Sequence, residues 1–244
     1  MTPLLDFTPA TCPFTSMQLL KGHWQLIAIT VVLFLLWNTP FVIPLKILVV
    51  FLHELAHAIA TVLTGGSVVD LSVSPQQGGH VISRGGNRFI TLSAGYLGSL
   101  LIGIALLMIA LRTKADRTVL ALFGCLTLLV TILYVRDWFA ILFCAATGLG
   151  MLAIARYLSR PINDMVLRVI GLSSIIYVPY DIFDDTIRRS GARSDAYMLA
   201  EEFGGPTVFW GGLWLVLSLA AIFCCVRYGL GEKSNLSFRE EARN

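Results

Sequence analysis

The chain has 244 residues, 56% hydrophobic and 14% charged, with a mean hydropathy of +0.77. Soluble globular domains carry about 25% charged residues, so this composition excludes a soluble enzyme and indicates a polytopic membrane protein. The formal charge of +3 gathers into no basic stripe, which excludes nucleic acid as a partner. One integral domain is expected over residues 22–228, between a polar lead at 1–21 and a polar tail at 229–244. The fold class is all-α, with about six transmembrane helices. The five cysteines include no CxxC pair, so neither a disulfide framework nor a thiolate metal site is indicated.

In chain order, no basic region directly precedes an apolar run in the lead, and no A-x-A site follows the first run. No cleavable signal peptide is therefore expected. Trp24 to Trp37 is apolar and predicts a first membrane helix, interrupted at Asn38-Thr39-Pro40 and again at Pro44. Leu45 to about Leu63 predicts a second helix, ended by Gly65-Gly66.

The centre of this second helix reads His53-Glu54-Leu55-Ala56-His57. Residues i and i+4 share a helix face, so two imidazoles can meet one metal while Glu54 reaches a water beside it. Three polar groups in an apolar run are costly unless paired, liganded or hydrated. The alternatives are two histidines bonded across a bundle with Glu54 as partner, or an ion or proton path.

Residues 69–74 alternate apolar and polar, and 80–83 can return the chain after a turn at 75–79. This predicts a small β-hairpin directly after the metal-binding helix. An unpaired edge of it could accept a substrate strand. Phe89 to Leu111 predicts a further helix with small residues at Gly95, Ser99 and Gly103 for close contact. Val119–Val135, Trp138–Tyr157, Val166–Val178 and Thr207–Val226 predict the remaining helices, and Ser194 is placed to cap a short one. Arg112, Lys114, Arg117, Arg156, Arg160 and the tail fall on one side in an alternating count. That side is cytosolic by the positive-inside rule. The 62–88 hairpin and the 181–206 loop then share the other side.

A third metal ligand is sought among carboxylates. Asp181 and Asp185 share a face if the helix resumes after Pro179, and a carboxylate beside two histidines completes a catalytic zinc shell with room for water. Asp181 is preferred because it abuts the apolar helix, with Asp185 as the possible substitute. Asp184 is read as paired with Arg188 and Arg189, and Asp137 as neutralised by Arg136.

The segments His53–His57, Ala94-Gly95-Tyr96-Leu97-Gly98-Ser99, Asp181-Ile182 with Asp185, and Ser194-Asp195-Ala196 lie in patches from roughly residue 45 to 215. Together they resemble the site-2-protease-like intramembrane metalloproteases, specifically the M50B-like group. The resemblance implies Zn2+ held by two histidines and a distant aspartate, with the glutamate as base. Those roles fall on His53, His57, Asp181 and Glu54, although Tyr180-Asp181-Ile182 replaces the family's usual Leu-Asp-Gly. The expected activity is zinc-dependent peptide-bond hydrolysis in or beside the lipid bilayer, on a membrane-anchored protein or peptide. Two other readings keep the same residues: an inactive membrane scaffold or chaperone of this fold, and an ion- or proton-coupled transporter. No internal repeat supports the transporter.

Overall fold

The computed structural model describes residues 16–189, 191–231 and 233–236. The expected lead and tail therefore lie partly outside the described residues. Helix α1 (Ser16–Leu36) is followed by a 3-10 turn (Pro40–Val42) and α2 (Ile43–Leu63). Strands β1 (Ser67–Val73) and β2 (Gly79–Arg84) form an antiparallel hairpin. Then come α3 (Arg88–Arg112), α4 (Asp116–Tyr134), α5 (Trp138–Tyr157) and α6 (Arg160–Phe183), the last extended by a π-helical turn (Asp184–Arg188). A short α7 (Asp195–Phe203) precedes α8 (Thr207–Cys224), which also ends in a π-helical turn (Cys225–Gly229).

Six of these segments are long and apolar enough to cross a membrane: Pro40–Leu63, Arg88–Arg112, Asp116–Tyr134, Trp138–Tyr157, Arg160–Arg188 and Thr207–Gly229. The chain is an all-α, multi-pass integral membrane protein with one small hairpin. The predicted first membrane helix is corrected. His23 is non-helical (φ −129°, ψ 17°), and the apolar stretch Lys21–Leu36 falls short of a span. At about 1.5 Å per residue its 16 residues cover roughly 24 Å, against a hydrocarbon core of about 30 Å. Pro44, read as an interruption, instead sits in the first turn of α2, where its missing N–H costs nothing. Helix α6 begins at Arg160, earlier than expected, and runs unbroken through Pro179.

The main core gathers Phe51, Leu52 and Leu55 of α2 with Leu71 and Val73 of β1 and apolar residues of α3 to α6. Strict alternation fails at the end of β1, where Leu71, Ser72 and Val73 are all buried. The reason is that β1 packs against α2, α4 and α5, so the strand end is covered on both faces. The hairpin packs along α2, with the end of β1 buried and most of β2 exposed. A Cβ on Gly79 would come within 2.6 Å of Glu54 Oε1 and 2.9 Å of Val50 Cγ1.

Helices α3 and α6 meet through backbone. A Cβ on Gly171 would lie 2.7 Å from the Gly103 carbonyl oxygen and 3.0 Å from Leu107 Cβ. The Ser174 hydroxyl donates to the Ser99 carbonyl at 2.8 Å beside this crossing. Gly171→Ala is expected to destabilise the protein by about 1–3 kcal/mol through overpacking. Gly150→Ala, in open space, is expected not to destabilise. Thermal unfolding of both variants in detergent checks the pair, and equal midpoints would contradict the close crossing.

At one end of the bundle, polar groups join elements far apart in sequence. Arg168, nearly fully buried in α6, donates to Asp164 and to the Ser234 carbonyl. Ser234 bonds His23 through its hydroxyl at 2.7 Å and donates its N–H to the Gly22 carbonyl at 2.9 Å. Asn235 donates to the Lys21 carbonyl at 2.7 Å. Arg160 pairs with the buried Asp116 at 3.2 Å.

Candidate metal centre

Helix spacing places Lys46, Val50, His53 and His57 along one face of α2, and that face lines a cavity of about 660 Å³. The two imidazoles turn the same way, with His53 Nε2 and His57 Nε2 3.0 Å apart. Their rings stand at 78° with centroids 4.6 Å apart. The Thr91 carbonyl fixes His57, accepting from Nδ1 at 2.7 Å. A carbonyl can only accept, so Nδ1 carries the proton and Nε2 keeps its lone pair for a ligand role.

The carboxylate in contact with both imidazoles belongs to Asp195. Its Oδ2 lies 3.0 Å from His53 Nε2 and 3.1 Å from His57 Nε2. Local sequence accounts for this placement. Ser194 caps α7 by accepting from the Tyr197 N–H at 3.3 Å, which fixes the first turn. Ala196 and Leu199 are fully buried against Leu92, Tyr96, Ile182 and Trp214, which presses that turn onto α3.

His53, His57 and Asp195 each offer one donor atom, and these atoms lie within 4.8 Å of one another. Donors at about 2.0–2.1 Å from a tetrahedral ion stand roughly 3.3 Å apart. The observed separations of 3.0–3.1 Å and the nitrogen–nitrogen–oxygen donor set therefore suit one divalent metal.

Glu54 is buried, lines the same cavity and makes no hydrogen bond or ion pair among the described residues. Helix α3 closes the opposite wall. A Cβ on Gly95 would lie 2.4 Å from His53 Nε2 and 2.5 Å from His57 Nε2, so only a glycine leaves the donor atoms room. The Tyr96 ring meets His53 edge-on, with centroids 4.7 Å apart, and its hydroxyl donates to Asp185 at 2.6 Å.

The acidic segment 181–185 does reach this cavity, as the pairing of the two polar regions required. Asp181 and Asp185 line its wall but stand outside the three-residue cluster. Asp185 is engaged by Tyr96 and by Arg189 at 2.6 Å, and Asp184 pairs with Arg189 at 2.9 Å. Because α6 continues through Pro179, these carboxylates stay on α6 and its π-helical extension, while the turn opening α7 enters the site. Asp137 caps α5 by accepting from the Ala140 N–H at 3.0 Å. Sequence reasoning quoted Asp195 only within the Ser-Asp-Ala segment. Its signal was an acid immediately after a helix cap, in a segment shared with the resembled family.

Comparison with curated proteins and with solved structures yields no match. The family model for Peptidase M50B-like proteins matches residues 26–225, which include both histidines, Glu54, the hairpin and Asp195. The chain therefore belongs to the Peptidase M50B-like family, as a membrane-embedded metallopeptidase fold with a His53–His57–Asp195 cluster, drawn from α2 and α7, that is able to hold a divalent metal.

Proposed function

We propose that the protein is a zinc-dependent peptidase that cuts membrane-anchored proteins or peptides, with His53, His57 and Asp195 holding the metal and Glu54 acting as general base. The observation that carries this reading is the triangle formed by two imidazole nitrogens and a carboxylate oxygen, with the unpartnered Glu54 beside it in one cavity. Asp195 is favoured over Asp181 because it alone touches both imidazoles. When bound, zinc supplies Lewis acidity to a water and to the scissile carbonyl. Glu54 Oε1 and Oε2 are free to take a proton from the attacking water and to return it to the leaving amine. The Thr91 carbonyl holds His57 in its ligating tautomer throughout.

The β2 side of the hairpin faces the cavity through Gly79, His80 and Val81, and no third strand covers it among the described residues. An extended peptide can add to that edge by backbone hydrogen bonds. A transmembrane substrate must unwind locally before its amides become available.

Glu54→Gln tests the reading. Loss of a general base should lower turnover by about 10²–10⁴-fold, while zinc content measured by elemental analysis stays near stoichiometric. Unchanged turnover in Glu54→Gln, or a wild-type protein that takes up no zinc, would sink the peptidase assignment.

A further inference from the structure

Lys46 lines the same cavity, seven residues before His53 on α2. A cation within a membrane span is costly and marks a functional position unless it is paired or reaches the interface. Lys46 has no carboxylate within ion-pair distance among the described residues. Two other cations of the same wall are already neutralised, Arg88 by Glu202 at 2.8 Å and Arg189 by Asp184 and Asp185. Arg193 is exposed and stands two residues from Asp195.

A lysine near a helix end ordinarily snorkels to the headgroups. Here the side chain rests on an aromatic ring. Its Nζ lies 4.8 Å over the ring of buried Trp37, and Trp37 packs against Tyr177, another cavity residue, with centroids 6.0 Å apart. The ammonium is thus kept at the cavity wall on an aromatic support. The amides of Gln76 and Gln77 at the hairpin tip line the same cavity.

Lys46 precedes His53 by seven residues and His57 by eleven. At about 1.5 Å per residue this is roughly 10–17 Å along α2. An extended peptide, at about 3.3 Å per residue, covers that distance in roughly three to five residues. We propose that Lys46 is a specificity-determining residue, reading a carboxylate on the bound peptide about three to five residues from the bond that is cut. The proposal rests on the peptidase reading above. The carboxylate can be an acidic side chain or a chain terminus.

The test uses full-length Glu54→Gln protein, loaded with zinc, and fluorescein-labelled apolar peptides of about 20 residues. One series scans a single Glu along an amidated peptide, a second ends in a free carboxylate, and a third is neutral. A carboxylate series should bind about tenfold tighter than the neutral one, as one charge-assisted hydrogen bond allows, and the better series identifies the source. The preference should vanish on adding Lys46→Met, survive Lys46→Arg and turn toward Lys-scanned peptides in Lys46→Glu. Equal binding of all series, or a preference retained in Lys46→Met, overturns the subsite. Cleavage of the same peptides by the zinc-loaded wild-type protein separates the two failures. Lys46-dependent binding without any cleavage removes the peptidase reading alone, and cleavage indifferent to the carboxylate removes the subsite alone.

Discussion

Asp195→Ala is expected to strip the metal from the purified protein, whereas Asp181→Ala leaves it bound. Among the described residues, Asp195 is the carboxylate whose oxygen stands against both His53 and His57. Removing an outer partner of a metal ligand typically costs about 10–100-fold in affinity. Loss of one of three direct ligands should exceed that, so zinc should fall below about one-tenth occupancy under a competing chelator. Asp181 lines the cavity without joining the cluster, and its loss should change zinc affinity only a few-fold. Elemental analysis of both variants after chelator challenge decides between them. The reverse pattern would return the third ligand to Asp181.

Gly95→Ala should abolish both metal uptake and turnover without unfolding the chain. The added methyl carbon would occupy space 2.4–2.6 Å from His53 Nε2, His53 Cε1 and His57 Nε2. The imidazoles cannot easily retreat, because Thr91 pins His57 from behind and Tyr96 backs His53. Alanine also favours helix over glycine by about 1 kcal/mol, so helix α3 gains intrinsically while the site closes. The expected loss of zinc affinity is at least about 100-fold, more than removal of an orienting partner. Retention of wild-type zinc affinity in a folded Gly95→Ala protein would refute the idea that α3 is spaced for the metal.

The parts of the site legible in the sequence were those set by local spacing. His53, Glu54 and His57 lie within five residues, so helix periodicity alone fixes their mutual placement. The hairpin and the small-residue face of α3 were likewise visible as a change of period and a four-residue repeat. The third carboxylate was not. Asp195 stands 142 residues from His53, in a polar stretch where an acid is unremarkable by composition. Asp181 drew attention because it borders an apolar helix, yet what selects Asp195 is a tertiary event, the burial of Ala196 and Leu199 against α3 and α8. The short first helix was misjudged for a related reason. Its apolar run reads like a span, and only the break at His23 and the turn before α2 limit its length. Arg168 is a charge that local sequence does not mark as buried, yet it lies inside α6, because Asp164 one turn away and the Ser234 carbonyl receive its donors.

The polar clasp between residues 21–25 and 234–236 bears on how the molecule is put together during synthesis. The described apolar stretch of α1, Lys21–Leu36, is shorter than the six spanning segments, and the helix is bent at His23. Its apolar side rests on Leu107, Leu172 and Cys225, and its polar end is tied by Ser234 and Asn235. An early element is thus fastened by late ones, His23 and Ser234 being 211 positions apart. Contacts of such separation form last, after the entropy of closing the loop has been overcome. Interruption of synthesis after α7 would leave the histidine–aspartate cluster encoded in full, but the bundle without its fastening.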